Sequence, residues 1–245
     1  MFQSKLHIFA VLAAILALAS ASEVGPSANA PSAMSEIPSA TFLPVQARNV
    51  HDLGAGKLLV ASRDLADPHF AQTVVLLVRY DAEGVVGLIL NRRTDVPLSK
   101  VLQNLKAAKD RSDRVYLGGP VERPTVLALL RSTTRPEGAP RIFDGTYFIA
   151  SKDLFEQTIA KQPGAAVFHV YLGYAGWTKE QLQMEVALGA WFIFQADNDT
   201  VFNSDPDSLW QQLIRKTELK VAQGEAMDTN QWTFKGHASK MKALP

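Results

Sequence analysis

The sequence of 245 residues contains no cysteine. This absence excludes a disulfide framework, a cysteine nucleophile, a thiolate metal site and a lipid anchored on a thiol. Histidine is scarce as well, with five residues, so a catalytic histidine network has few members available. Because His51, His69 and His169 lie far apart without an ordered carboxylate pattern, we expect no metal site.

Neither sign of charge dominates the chain. Lys and Arg number 25 against 24 Asp and Glu, which gives a formal net charge of +1. Such a balance provides no global field for a polyanion, so nucleic acid is not an expected partner. Basic residues do cluster over 100–114, but Asp110 and Asp113 interrupt them and no aromatic residue lies among them. This pattern is typical of a solvated helix end and loop.

The common catalytic and nucleotide-binding motifs are also missing. The chain has no G-x-x-x-x-G-K-[ST] loop, no G-x-G-x-x-G turn, no G-x-S-x-G elbow and no H-E-x-x-H helix. We therefore expect no cofactor and assign no catalytic residue. The sequence favours a binding or regulatory domain over an enzyme, and its partner is an unidentified small molecule or protein.

The N-terminus has the pattern of a secretory signal peptide over residues 1–21. Lys5 precedes the apolar run Leu6–Leu18, and Ala19-Ser20-Ala21 fits cleavage between small residues. The run of about 13 residues is shorter than the roughly 20 that span a bilayer, so cleavage is expected over a retained anchor. The mature chain is then exported, periplasmic or secreted, without a membrane span. A misassigned start codon on a cytoplasmic protein is the alternative.

The remaining chain divides into a linker, a domain and a tail. Residues 22–50 are rich in Pro, Ala and Ser, which indicates a linker, and residues 221–245 indicate a flexible tail. Residues 51–220 are long enough for one hydrophobic core. Apolar runs of strand length recur in them, at Leu58–Ala61, Val74–Val78, Val85–Leu90, Val115–Leu117, Val126–Leu130, Tyr147–Ile149, Val167–Leu172 and Trp191–Phe194.

Helix signals lie between and after these runs. Ser151 caps an apolar stripe, Thr178 with Gln181 forms a capping-box pattern, and Asp205-Pro206 begins a helix. A shorter helix is expected over Leu98–Leu105. The segment Tyr80–Gly84 has hairpin length. Because strands outnumber helices and do not alternate with them, we predict a mixed α+β fold, with a mostly antiparallel sheet and three to four flanking helices.

Three clusters concentrate glycine and aromatic residues. They are Gly87–Arg92, Leu117–Val121 with the sequence Leu-Gly-Gly-Pro-Val, and Leu172–Trp177 with the sequence Leu-Gly-Tyr-Ala-Gly-Trp. Glycine permits a positive φ and close backbone approach, and proline fixes the exit direction. The third cluster leads directly into the helix of Thr178, where main-chain N–H groups and the helix dipole favour an anion.

With the strand at Trp191, these clusters occur in the order of the YqgE/AlgH family of bacterial proteins, which the chain resembles from about Gly54 to Thr217. The resemblance implies a compact α+β domain with a partly barrel-like sheet. It implies little about chemistry, since family members are linked to transcriptional regulation without an established reaction. Arg93 departs from the family pattern, in which proline commonly follows Asn-Arg.

Our first hypothesis is a non-enzymatic domain that recognises a small anion, metabolite or peptide at the glycine-rich turns. Substitution of Gly119 or Trp177 is then expected to abolish binding without changing stability. The alternatives are a hydrolase or transferase that uses Glu185 with Asn91 and Arg92, and a transcriptional regulator. A purely structural role for the glycine turns and for Tyr174 and Trp177 also fits the sequence. The candidate ligand-binding residues are Asn91, Arg92, Gly118, Gly119, Pro120, Gly173, Tyr174, Gly176, Trp177, Gln181 and Glu185.

Overall fold

A computed structural model describes residues 49–161, 163–164, 167–203 and 205–217 of the chain. The expected signal peptide at 1–21, all but the last two residues of the expected linker at 22–50, and the expected tail at 221–245 lie outside these residues. No helix in the described part of the chain is long and apolar enough to cross a membrane.

Strands and helices alternate irregularly along the described chain. The strands are β1 (Lys57–Ala61), β2 (Val74–Asp81), β3 (Gly84–Ile89), β4 (Arg93–Pro97), β5 (Arg114–Leu117), β6 (Val121–Arg131), β7 (Arg141–Phe143), β8 (Thr146–Ile149), β9 (Phe168–Trp177) and β10 (Trp191–Gln195). The helices are α1 (Leu98–Val101), α2 (Lys152–Ala160), α3 (Lys179–Ala187), α4 (Asn198–Val201) and α5, which covers 209–217.

Eight of these strands form one continuous path in the order β10-β1-β2-β3-β9-β6-β8-β7, and all neighbours along it are antiparallel. Strand β4 pairs with β5, and β5 joins β9 in parallel. The sheet curls into half a barrel, which confirms the mixed α+β fold that the sequence predicts. The predicted hairpin is present, because Asp81 at the end of β2 pairs with Gly84 at the start of β3.

Helices α2 and α3 begin where their capping residues predict, whereas the Asp205-Pro206 pattern begins a 3₁₀ turn over Pro206–Ser208 that has no side-chain cap and precedes α5. Ser151 Oγ accepts a hydrogen bond from Leu154 N, and Thr178 Oγ1 accepts one from Gln181 N at 3.1 Å. The capping box at Thr178 is only half formed, because the Gln181 side chain donates to Glu185 instead of reaching back to the cap. The helix expected over Leu98–Leu105 is a single turn, α1, followed by irregular chain.

The main core lies on both faces of the curled sheet around β1 and β2. Strands β1, β2 and β3 contribute nearly continuous buried aliphatic side chains, while α3 covers them with Leu182 and Val186. The α5 helix adds Leu209, Trp210, Leu213 and Ile214 to the same cluster. Each fully buried aliphatic side chain stabilises the fold by about 1.5–3 kcal/mol relative to exposure. This core fixes the ends of β2 and β3, from which the candidate site extends.

Candidate functional site

The second and third glycine clusters lie directly against each other. Gly118 N donates to Leu172 O at 2.8 Å, and Gly118 O accepts from Ile89 N at 2.9 Å, so this segment passes between β9 and β3. Neither Gly118 nor Gly119 has a positive φ, whereas Gly173 has a φ of +68°. A Cβ atom on Gly118 or Gly119 would lie closer than 3.0 Å to the backbone of β9. Close backbone approach is therefore the reason for both glycines.

This packing changes the interpretation of the glycine clusters. The amide of Gly118 is already hydrogen-bonded inside the protein, and both Gly118 and Gly119 are buried. Gly173 is buried too, while Gly176 is exposed at the end of β9. The expectation that a Gly119 substitution leaves stability unchanged is wrong, because an added methyl group would collide with main-chain atoms that cannot move aside.

Trp177 and Glu185 belong to a hydrogen-bonded group that joins β9, α3 and β10. Glu185 Oε2 accepts from Trp177 Nε1 at 3.1 Å and from Trp191 Nε1 at 2.8 Å, and Glu185 Oε1 accepts from Gln181 Nε2 at 3.1 Å. Trp177 is 4% exposed and Trp191 is fully buried. Both carboxylate oxygens of Glu185 thus satisfy N–H groups of the protein itself, which is a structural task.

Two further candidates also have partners within the fold. Tyr174 is half-buried and hydrogen-bonded to Glu122; burial, and then the charge of Glu122, raise the pKa of the Tyr174 hydroxyl. Asn91 Oδ1 accepts from Val74 N and Asn91 Nδ2 donates to Gln72 O, both at 2.8 Å. Asn91 therefore holds the turn before β2 in place.

Arg92 lines a small surface depression of about 30 Å³, which we call the basic depression. It combines residues from four separate segments of the chain: the turn before β2, the end of β3, the glycine segment and the start of β6. Its lining residues are His69, Ile89, Arg92, Leu117, Gly119, Pro120 and Arg123. Two arginines and a histidine therefore line one recess on a chain that is nearly neutral overall.

The local backbone explains how the two arginines reach the basic depression. Arg92 follows β3 and donates from one terminal nitrogen to Pro68 O at 3.1 Å. Burial lowers the pKa of the Arg92 guanidinium, and the charge of Asp67 opposes that change. Arg123 follows Glu122, whose φ of +44° marks the irregular register of β6 against β9 between Val121 and Val126. Such bulges redirect side chains at functional sites.

A second, larger recess adjoins the basic depression, and we call it the polar cleft. Its volume is about 280 Å³, and it is lined by Ala71, Gln72, Asn91, Arg92, Asp207, Trp210 and Gln211. Arg92 lines both recesses, so they are adjacent across one side chain. Asp207 pairs with Arg93 at 3.7 Å, so its negative charge is partly balanced by a cation outside the lining of the cleft.

Gln72 at the rim of the polar cleft adopts a left-handed backbone, with a φ of +57°. An L-residue in this region costs roughly 1–2 kcal/mol, whereas glycine adopts it freely. We expect Gln72→Gly to raise the free energy of unfolding by about 0.5–1 kcal/mol, after the larger loss of chain entropy by glycine is included. Urea denaturation measures this gain, and a decrease in stability would show that the Gln72 side chain stabilises the turn.

The structure groups some of the sequence candidates and separates others. Arg92, Gly119 and Pro120 share the basic depression, while Asn91 and Arg92 share the polar cleft. Trp177, Gln181 and Glu185 form their own hydrogen-bonded group and line neither recess. Sequence reasoning missed His69 and Arg123, although Arg123 follows the Gly-Gly-Pro-Val motif by two positions. Among the described residues, no group of three or more His, Asp or Glu side chains is arranged to hold a metal ion.

Comparison with known proteins gives a consistent family. The sequence profile of the AlgH-like family (DUF179) matches residues 58–222. A UPF0301 protein of Streptomyces avermitilis is 33% identical over 172 residues, which cover 68% of this chain and 88% of that protein. A UPF0301 protein of Chlorobium phaeobacteroides is 31% identical over 166 residues, covering 66% and 86%. These names assign no activity.

Solved structures resemble the chain as well. The solution structure of the AlgH protein from Pseudomonas aeruginosa is 30% identical, has a TM-score of 0.54, and is matched over 65% of this chain and 86% of that one. A crystal structure of a Corynebacterium diphtheriae protein has a TM-score of 0.57 at 20% identity, with 67% and 87% covered, and supports the fold alone. From its sequence profile, its relatives and its fold, the chain belongs to the AlgH-like family.

Proposed function

We propose that this chain is a non-enzymatic binding domain that holds a small oxyanion at the basic depression. The observation that carries the proposal is the convergence of Arg92, Arg123 and His69 from separate segments onto one recess. Guanidinium groups bind carboxylate and phosphate oxygens through paired, charge-assisted hydrogen bonds. In a chain without a global positive field, such a local group of cations recognises an anion by contact.

The environment of Arg92 supports this assignment. Its guanidinium is partly desolvated, as the lowered pKa reflects, and an anion on its open side would compensate that cost. A guanidinium carries five N–H donors, and the bond to Pro68 O uses one of them, which leaves donors for a ligand. Gly119 and Pro120 bring the main chain of the glycine segment to the lining of the same recess.

Backbone strain near the two recesses supports a functional site at this location. Within the described residues, the non-glycine positions with positive φ are Gln72, at the polar cleft, and Glu122, directly before Arg123. Such conformations cost roughly 1–3 kcal/mol each and tend to occur where function requires them.

The alternative of a hydrolase or transferase depended on Glu185 together with Asn91 and Arg92. Glu185 and Asn91 instead use their polar atoms to hold β9, α3, β10 and the turn before β2. The residues that line the basic depression offer positive charge and N–H groups, but no hydroxyl nucleophile. These contacts support binding over group transfer.

Binding of acetate and of inorganic phosphate, followed by NMR on the isotope-labelled chain, tests the proposal. We expect chemical-shift changes around Gly119 and Arg123, weakened by added salt because the contact is electrostatic. Arg123→Gln and Arg92→Gln should each weaken binding at least about tenfold, which corresponds to about 1.4 kcal/mol.

Arg131→Gln is the matched control. It removes the same charge from the same strand, eight residues and roughly 26 Å further along β6, where the side chain is exposed. Its affinity should equal that of the unmodified chain. Equal weakening by all three substitutions, or no saturable binding, would contradict a site at the basic depression.

A further inference from the structure

We infer that the polar cleft and the basic depression together take a carboxylate that carries a neighbouring amide, such as an N-acyl amino acid or the C-terminal residue of a peptide. This inference rests on the proposed function and specifies its ligand. The observation behind it is that Arg92 lines both recesses, so the residue that would hold the carboxylate in the basic depression also borders the polar cleft.

The size of the basic depression favours a small anionic group such as a carboxylate. Its volume of about 30 Å³ has room for about one or two water-sized groups. The fork of a guanidinium matches two carboxylate oxygens directly, and Arg123 and His69 bring a second guanidinium and an imidazole to the lining of the same recess.

The chemistry of the polar cleft favours an amide. Gln72 and Gln211 line it with exposed side chains, and each side-chain amide carries both donors and an acceptor. A peptide group has one N–H donor and one C=O acceptor. Glutamine side chains in the lining can therefore accept from its N–H and donate to its C=O. The volume of about 280 Å³ lies close to the lower limit of about 300 Å³ for small-molecule sites. The cleft therefore suits a ligand that carries only a short chain beyond its carboxylate.

The charges around the cleft are compatible with an acidic ligand. Asp207 is the carboxylate among the lining residues, and its ion pair with Arg93 reduces its repulsion of an anion. Arg92 is the cation nearest the junction of the two recesses, since it lines both of them. The ligand carboxylate is thus directed to the basic depression and its amide to the cleft.

Comparison of three probes tests the inference: acetate, N-acetylglycine and glycerol 3-phosphate, titrated into the full chain at constant ionic strength. We expect N-acetylglycine to bind at least about fivefold more tightly than acetate, because one net hydrogen bond corresponds to about that factor. Gln72→Gly and Gln211→Ala should each reduce this preference at least about threefold and leave the affinity for acetate within about twofold.

The substitutions suit the backbone at both positions, since glycine accepts the positive φ of residue 72 and alanine favours the α5 helix. Gln212→Ala on the same helix, outside the lining of the cleft, is the control and should keep the preference. Equal affinity for acetate and N-acetylglycine, or tighter binding of glycerol 3-phosphate, would overturn the inference while leaving an anion site. Absence of Arg123-dependent binding by all three probes would overturn the anion site as well.

Discussion

Replacement of Gly119 by alanine is expected to destabilise the fold by at least about 3 kcal/mol, or to prevent cooperative folding altogether. The added Cβ would lie closer than 3.0 Å to the carbonyl group of Tyr174 and to Ala175 N. These are backbone atoms of β9, whose neighbouring strands hold them on both sides. Thermal or urea unfolding followed by circular dichroism measures the loss.

Gly54→Ala is the control for this prediction. A methyl group added at position 54 would have no neighbouring atom within 4 Å, and the backbone there has no positive φ. The substitution should therefore be neutral, or stabilising by a few tenths of a kcal/mol, because alanine restricts the unfolded chain more than glycine does. Where the native backbone suits alanine, such a change stabilises a protein by about 0.4–1 kcal/mol. A Gly119→Ala variant as stable as the Gly54→Ala variant would show that β9 and the glycine segment do not pack as closely as described.

Replacement of Glu185 by alanine is expected to lower the free energy of unfolding by about 3 kcal/mol or more. The variant loses three hydrogen bonds to a carboxylate and leaves the indole N–H groups of Trp177 and Trp191 inside the protein without their acceptor. An unsatisfied buried donor costs about 1–3 kcal/mol. Urea denaturation followed by tryptophan fluorescence reports both the stability and the environment of the rings.

Two neighbouring variants make this result interpretable. Glu185→Gln keeps one acceptor oxygen and should lose about half as much stability as the alanine variant. Met184→Ala, on the same helix, removes a side chain that is 60% exposed and should change stability by less than about 0.5 kcal/mol. If Glu185→Ala were as stable as Met184→Ala, the carboxylate would not hold the two indoles in solution.

The strands that the sequence predicted well are the apolar ones. β1, β2 and β3 coincide with buried apolar runs, because a strand in the middle of a packed sheet buries both faces, whereas β5, β8 and β10 coincide with apolar runs that are only partly buried. β4 and β7 were missed, since they are short and carry charged, exposed residues at their first positions. β6 begins before its apolar half, with Val121–Thr125. Pro124 and two charged residues in this part are not typical of a strand, so the sequence did not predict it.

The candidate site was predicted less completely than the fold. Glycine patterns located the segments that approach each other, and Arg92, Gly119 and Pro120 do share one recess. His69 and Arg123 carry no motif of their own, and only the pairing of β3, β6 and β9 brings their segments together. From the sequence, Glu185 was a candidate residue of a hydrolase or transferase. Its structural role depends on a hydrogen bond from Trp191 of β10, which the residue spacing within α3 does not reveal.

The position of β9 in the sheet has a consequence for how the polypeptide acquires its structure. β9 lies between β3 and β6 and also pairs with β5, although these strands precede it by some 40 to 90 residues of sequence. No strand pairing therefore joins the two halves of the sheet until β9 has been synthesised, and β1 gains its outer partner β10 later still. Loop closures of this length make assembly slow compared with local hairpins, so the unfinished edges of β3 and β6 are exposed during the interval.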